Sequence, residues 1–245
     1  MAGVWEGAFS LGHVYRAEKH ATSRHLTESI QYEFEVAFIN GIGDILDWEE
    51  KIVRYMIGEV EKSCKAEVEL LKEYGYNLVK LSEKPFPRIT LAEALEIYFK
   101  RTGVDDRKEP DLSPEAEREM CKWAEEETGS PFVFVTHYPL TKVAFYAMPS
   151  KEHEGMAEYG DLLCNGAEIT SGGQRRHTYD LMVEGLKFKE LNPDNFEGYL
   201  EIFKFGMPPH GGFALGLERF TQMLFGFENI RRTTLFYRDL HRLTP

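Results

Sequence analysis

Ile30-Gln31-Tyr32-Glu33-Phe34-Glu35-Val36-Ala37-Phe38 decides how this chain is read. Ile30, Tyr32, Phe34, Val36 and Phe38 are apolar, while Gln31, Glu33 and Glu35 between them are polar. An alternation with period two describes a β-strand with one face on a core and the other toward polar surroundings. Upstream, across a short polar loop that ends in Arg24-His25-Leu26-Thr27-Glu28, lies Val14-Tyr15-Arg16-Ala17-Glu18, so the two stretches predict a β-hairpin. On the incoming strand the same period puts Arg16 and Glu18 on one face. A planar guanidinium there can hold two phosphate oxygens at once, which a lysine ammonium does not do with the same orientation. The pattern also fits a solvated strand edge with ordinary ion pairs.

Two further stretches carry chemistry. Gly212-Phe213-Ala214-Leu215-Gly216-Leu217-Glu218-Arg219 reads as a glycine-rich strand running into a helix with Phe220, Met223, Leu224 and Phe227 at helical spacing. Arg219 in its first turns can face a phosphate, although taken alone the motif equally describes helix packing with a surface arginine. Between the two arginines, Asp161 and Glu168 offer hard oxygen ligands with Ser171 three residues further on, a set that suits Mg²⁺ keeping its waters and bridging phosphates.

The joint order is more specific than any piece. Arg-Ala-Glu (16–18), Arg-His-Leu-Thr-Glu (24–28), Glu-Ile-Thr-Ser-Gly-Gly-Gln-Arg-Arg-His (168–177), Met-Pro-Pro-His-Gly-Gly (207–212), Gly-Leu-Glu-Arg (216–219) and the ending Phe-Tyr-Arg-Asp-Leu-His-Arg-Leu-Thr-Pro (236–245) follow one another. From about Val4 to Pro245 the chain resembles the catalytic domain of class II aminoacyl-tRNA synthetases, in the aspartyl/asparaginyl branch of archaeal and eukaryotic style. The resemblance implies one domain over 1–245, without the family's first motif, its anticodon-binding domain and a substrate lysine upstream of motif two. It implies ATP and Mg²⁺ as cofactors, aspartate and the tRNA acceptor end as partners, a homodimer in the intact protein and no membrane. Arg16 would hold the α-phosphate, and His25 and Arg219 would lie near the γ-phosphate of a bent ATP, with Arg16 and Arg219 as the catalytic pair. Ala17, Glu18, Arg24, Leu26 and Glu28 from the hairpin complete the ATP-binding set with Glu168, Gly216, Leu217 and Glu218. Mg²⁺ would sit on Glu168 and Ser171, helped by Asp161.

For the amino acid, the resemblance puts Arg175 on the substrate side-chain carboxylate, Glu33 on the amino group, and Ser171 and His177 nearby. Gln174-Arg175-Arg176-His177 and the C-terminal ending look aspartyl, whereas Glu33, Phe134-Val135-Thr136-His137-Tyr138-Pro139 and Ala144-Phe145-Tyr146 have asparaginyl flavour. The alternatives to aspartate activation are an asparagine-specific ligase, a synthetase-like amidating enzyme, and a non-catalytic paralogue used as a binding or regulatory module. Ser29, Ala214 and Tyr237 depart from the family's usual aromatic, glycine and proline.

Composition bounds these readings. With 245 residues, 42% hydrophobic, the chain can bury a core, and a net charge of −12 argues against a generally basic nucleic-acid surface, so any tRNA contact is local. Cys64, Cys121 and Cys164 have no paired metal-ligand spacing and suit a reducing cytoplasm. No apolar run reaches the ~20 residues that cross a bilayer.

The remaining pattern predicts α+β architecture with a mainly antiparallel sheet flanked by helices. One or two helices are expected over 44–74 with a core stripe of Ile45, Trp48, Ile52, Met56 and Val60. Thr90 with Glu93 starts another in a capping box, and Ser113 before Pro114 caps a third. Strands are expected near 132–136, 143–148 and 166–171, and helices over 175–189 and 193–204. His210 fits either a pocket contact or a structural turn; His13, His20 and His137 read as surface or packing residues.

Overall fold

The computed structural model describes residues 3–19 and 21–244, so His20 lies outside the described residues. Its strands are β1 (Gly7–Tyr15), β2 (Glu28–Ala37), β3 (Arg88–Thr90), β4 (Phe132–Thr136), β5 (Tyr159–Cys164), β6 (Ala167–Gln174) and β7 (His210–Gly216). Its helices are α1 (Ile42–Ser63), α2 (Lys65–Glu73), α3 (Leu91–Thr102), α4 (Pro114–Thr128), α5 (Tyr179–Phe188), the single turn α6 (Glu197–Leu200) and α7 (Leu217–Phe225). The strands form one sheet in the order β1-β2-β7-β6-β5-β4-β3, antiparallel throughout except for the β3–β4 pair. This is the α+β, mainly antiparallel architecture expected from the sequence.

The two faces of the sheet are treated differently, and that difference makes the site. One face is covered over its centre by α1 and α7, with Phe9 and Leu11 of edge strand β1 left exposed: Phe132 and Phe134, Leu162, Ile169, Phe213 and Leu215 join Ile45, Val53, Ile57 and Phe220 in a single core. On the opposite face Val133, Val135 and Leu163 pack under Leu91, Leu95, Ala116 and Met120 of α3 and α4. Strand β4 is thus buried on both sides, which is why Phe132-Val133-Phe134-Val135 is a continuous apolar run. Over β2, β7 and β6 the second face has no such cover. There Gln31, Glu33 and Glu35 stand opposite the small residues Gly216, Ala214 and Gly212, and a cleft opens.

Local signals account for most element ends. Thr90 accepts from the Glu93 amide while the Glu93 carboxylate accepts from the Thr90 amide, a reciprocal cap worth about 1 kcal/mol. Ser113 caps α4 with Pro114 in its first turn, and Gly103, Gly129 and Gly226 end α3, α4 and α7 in the left-handed region.

The structure departs from the sequence expectations at identifiable places. The hairpin forms, but Arg16 and Glu18 lie in the loop beyond Tyr15, the last residue of β1, rather than on the strand. Phe38 is 69% exposed at φ +61°, because its amide turns to the Pro209 carbonyl and the alternation ends one residue earlier. The 44–74 helix breaks at Cys64, and its buried stripe runs through Ile45, Glu49, Val53 and Ile57, leaving Trp48 42% exposed. Carboxylates at buried positions hid that stripe from a hydrophobicity reading.

Residues 143–148 form no strand. Val143 and Ala147 pack into the α3/α4 core while Phe145 and Tyr146 pack into the cluster around α5, so an apolar run is buried by two different clusters without strand pairing. The 175–189 helix starts only at Tyr179, capped by Thr178. Residues 193–204 are 3₁₀ turns around the one-turn α6. Strand β5, read from the sequence only as a ligand-bearing stretch, is a central strand.

Candidate active site

Two hollows on the open face share Arg16, Gln31, Glu168, Ser171 and Ala214 and are lobes of one cleft. The first lobe is framed by the β1–β2 loop, the start of α7 and the Glu168 end of β6. Arg16, Arg24 and Arg219 converge there with His25, Glu18 and Glu168. In a chain of net charge −12, three guanidiniums gather around one hollow and offset the carboxylates of Glu18, Glu168 and Glu218 that share its lining.

Arg219 is braced across its two sides: its Nη1 donates to the Glu168 carbonyl at 3.2 Å and its Nη2 to the Arg24 carbonyl at 3.4 Å. Its Nη1 also lies 3.9 Å from Glu168 Oε1. Glu218, the first-turn acid of α7, accepts with both oxygens from the Ile30 amide at 3.1 and 3.0 Å, pinning that helix start to β2. Leu26 is buried beside it, and Gly216 lines the floor.

Glu168 and Ser171 reach the cleft together because of a β-bulge. Leu162 opposes Thr170 but Leu163 opposes Glu168, so Ile169 is an extra residue in β6. Three-residue spacing would put the two side chains on opposite faces of a regular strand. The bulge returns them to the same one, and Ser171 Oγ donates to Glu168 Oε1 at 2.7 Å. Asp161 stands directly across from Ser171 but lies beneath the cleft, 8% exposed, and lines neither lobe. Burial first, then the charge of Glu168, pushes its carboxyl well above the usual range. Its Oδ1 is buried without a hydrogen-bond partner. An orphaned buried oxygen beside a second carboxylate is an arrangement that a divalent cation relieves, and a magnesium ion needs only one or two carboxylates when phosphates supply the rest. Among the described residues no group of three or more His, Cys, Asp or Glu forms a metal cage. The donors therefore fit a cation shared with a phosphate ligand.

The second lobe, a hollow of about 630 Å³, holds Glu33, Glu35, Arg175, Tyr146, Tyr199 and His210. Arg175 Nε donates to Glu35 Oε1 at 2.8 Å, its Nη2 to the Gly212 carbonyl at 3.3 Å, and its guanidinium lies 5.1 Å from the centre of the Tyr146 ring. Three contacts thus fix the fork, while Glu35 Oε2 is buried without a partner. Glu33 is exposed to the lobe. His210 lines it too, its Nδ1 2.9 Å from the Pro208 carbonyl, and burial holds its imidazole below the usual range.

Several sequence-assigned residues lie elsewhere. His177 is separated from Arg175: it lines a different hollow with His137, Glu158 and Pro209 at the start of α1. Glu28 faces the C-terminal segment, paired with Arg238 at 2.8 Å and His13 at 2.9 Å. Ala17 and Leu217 flank the first lobe without lining it. Sequence reasoning assigned no role to Glu35, Gln31, Tyr146 or Tyr199. The strand period that marked Glu33 marks Glu35 and Gln31 equally; nothing local marks the tyrosines.

An arginine-ringed cleft on an antiparallel sheet, with a second lobe built around a fixed guanidinium, places the chain among class II synthetase folds. The family model described as tRNA synthetases class II (D, K and N) matches residues 1–240, and the chain belongs to that family. It is 43% identical over its full length to the aspartate-tRNA(Asp/Asn) ligase of Thermus thermophilus, covering 56% of that protein. Against the aspartate-tRNA(Asp) ligase of Pyrococcus abyssi it is 40% identical over 97% of its length and 53% of the relative's. Among solved structures, the aspartyl tRNA synthetase of Entamoeba histolytica superposes with a TM-score of 0.93 at 31% identity, covering all of this chain and 50% of that one. The asparaginyl-tRNA synthetase of the same organism, in complex with asparaginyl-adenylate, gives 0.85 at 33% identity over 98% of this chain and 54% of that one. The chain spans about half the length of the curated relatives it matches.

Proposed function

We propose that this chain is the catalytic portion of an aspartate-tRNA ligase, forming aspartyl-adenylate from ATP and aspartate and passing the aspartyl group to the acceptor end of tRNA. The observation that carries the reading is the meeting of Arg16, Glu168 and Arg219 in one hollow that continues into the Arg175 lobe. The triphosphate lies in the first lobe and the amino acid in the second. A carboxylate oxygen of the amino acid attacks the α-phosphorus in line, forming the new O–P bond as the bond to the bridging oxygen breaks and pyrophosphate leaves. A carboxylate is already ionised, so this step calls for no general base. Arg16 neutralises charge growing on the α-phosphate, and Arg24, His25 and Arg219 hold the leaving phosphates. Glu168 and Ser171 are the residues that would hold Mg²⁺, with Asp161 behind them, and the ion when bound would neutralise phosphate charge. In the second step a ribose hydroxyl of tRNA attacks the carbonyl carbon, the bond from that carbon to the phosphate oxygen breaks, and AMP departs with the hydroxyl proton on its phosphate.

Arg175, its fork aimed by Glu35, Gly212 and Tyr146, receives the substrate side chain, and Glu33 the ammonium. The unpartnered Oε2 of Glu35 beside Arg175 favours a second reading, asparagine, whose carboxamide both accepts and donates. ATP-pyrophosphate exchange separates them: stimulation by aspartate over asparagine supports the first, the reverse order the second. Exchange with neither, despite ATP binding by a chain extended to the length of its relatives, leaves a non-catalytic binding module. In the intact protein we place the chain in a homodimer in the cytoplasm; its three cysteines are free, and among the described residues no helix is long and apolar enough to cross a membrane.

A further inference from the structure

The side chain that sets Arg24 in the first lobe belongs to a helix outside every motif that defines the site. Arg24 Nη1 donates to Glu117 Oε2 on α4 at 2.7 Å, and its Nη2 donates to the Gly166 carbonyl, also at 2.7 Å. Glu117 is 16% exposed at its side chain and does not line the lobe, whereas Arg24 does. Gly166 stands in the tight turn between β5 and β6, where Asn165 and Gly166 both take positive φ, and a Cβ on Gly166 would come within 2.7 Å of Arg118 on α4. Asn165 Nδ2 donates to the Met223 carbonyl of α7 at 2.6 Å, so the turn is tied to the helix that carries Arg219. Arg24 is thereby clamped between α4 and a turn that shares its scaffold with Arg219, another arginine of the lobe. A guanidinium has five N–H donors, so two engaged nitrogens still leave donors for a phosphate.

We infer that Glu117 is a positioning residue for nucleotide binding: it aims Arg24 into the lobe and thereby holds the 21–27 loop in its binding form. The inference rests on the reading of the first lobe as the triphosphate site. Without Glu117 the Arg24 side chain swings free, and the ordering cost it has already met is charged to ATP instead.

The test is a double-mutant cycle read by equilibrium titration of Mg·ATP into this chain, with urea midpoints confirming that each variant folds. Glu117→Ala weakens ATP binding about 10-fold, the scale of one hydrogen bond between charged groups. In an Arg24→Ala background the same substitution costs less than about 2-fold, since a residue acting through its partner has nothing left to act through. Glu117→Gln keeps an acceptor for Nη1, recovers most of the affinity, and carries the cycle if the alanine variant does not fold. An unchanged affinity in Glu117→Ala, a loss that persists in the Arg24→Ala background, or an Arg24→Ala variant that binds ATP as tightly as the parent overturns the inference. In each of these cases the parent still binds ATP and the first lobe stands as the triphosphate site, although the last outcome also removes Arg24 from its phosphate contacts; a parent that binds no ATP defeats both.

Discussion

Glu49→Gln shifts folding stability relative to the parent in the variant's favour as pH rises. Glu49 lies on α1, 1% exposed, with its carboxylate accepting from the hydroxyl of Thr170 on β6. Burial lifts its carboxyl from the usual 4.5 to about 8, opposed by the Thr170 bond and the charge of Arg88. The folded chain therefore holds a proton between those limits that the unfolded chain releases, and folding stability falls as pH rises across that window. At ~1.36 kcal/mol per unit, the cost is about 1 kcal/mol at pH 5, about 3 kcal/mol at pH 7, and levels off above pH 8. An amide of the same shape keeps the acceptor for Thr170 and does not titrate. Any fixed cost of burying the amide cancels when two pH values are compared. Urea unfolding of parent and variant at pH 5 and pH 7 thus yields a stability difference that shifts toward the variant by about 2–3 kcal/mol. Parallel profiles across that range refute the argument, because a Glu49 that titrates normally in the fold contributes no such difference.

Other substitutions probe separate parts of the account. Arg175→Lys keeps the charge but loses the fork shared with Glu35 and Gly212, raising KM for the amino acid about 10- to 100-fold in pyrophosphate exchange while KM for ATP holds. Gly212→Ala drives a Cβ into the Phe34 carbonyl and within 2.7 Å of Glu35 Oε2, so β2 and β7 separate and the urea midpoint collapses, with a loss of about 3 kcal/mol or more. Thr90→Ala removes one half of the α3 capping box and costs about 1 kcal/mol in the same assay, with binding of ATP unchanged.

How much of this was legible in the sequence depended on whether a signal was local. The alternation of residues 30–36, the Thr90 and Ser113 caps and the glycine-rich run into α7 each encode structure within a few residues, and each formed, although α7 ends at Phe225 and leaves Phe227 beyond it. The convergence of Arg16, Glu168 and Arg219 came from motif order, since nothing in any one segment states that the three meet. What stayed hidden was non-local or irregular. The bulge at Ile169 that turns Glu168 and Ser171 to one face has no sequence marker in β6. Glu49 occupied a core position that a hydrophobic stripe would assign to an apolar residue, and the ion pair from Glu117 reaches Arg24 across 93 residues. His177 follows Arg175 by two residues, yet β6 ends at Gln174, before both, and without strand geometry the two line different hollows.

The central claim is that separated segments enclose one nucleotide. A crystal structure of the protein with Mg²⁺ and a non-hydrolysable ATP analogue tests it most directly. The account predicts the phosphates in the first lobe, within hydrogen-bond reach of Arg16 and Arg219, with the metal on Glu168 and the sugar end toward the shared wall of Ser171 and Ala214. An analogue seated in another hollow, or phosphates that touch Arg16 and Arg219 nowhere, contradicts it.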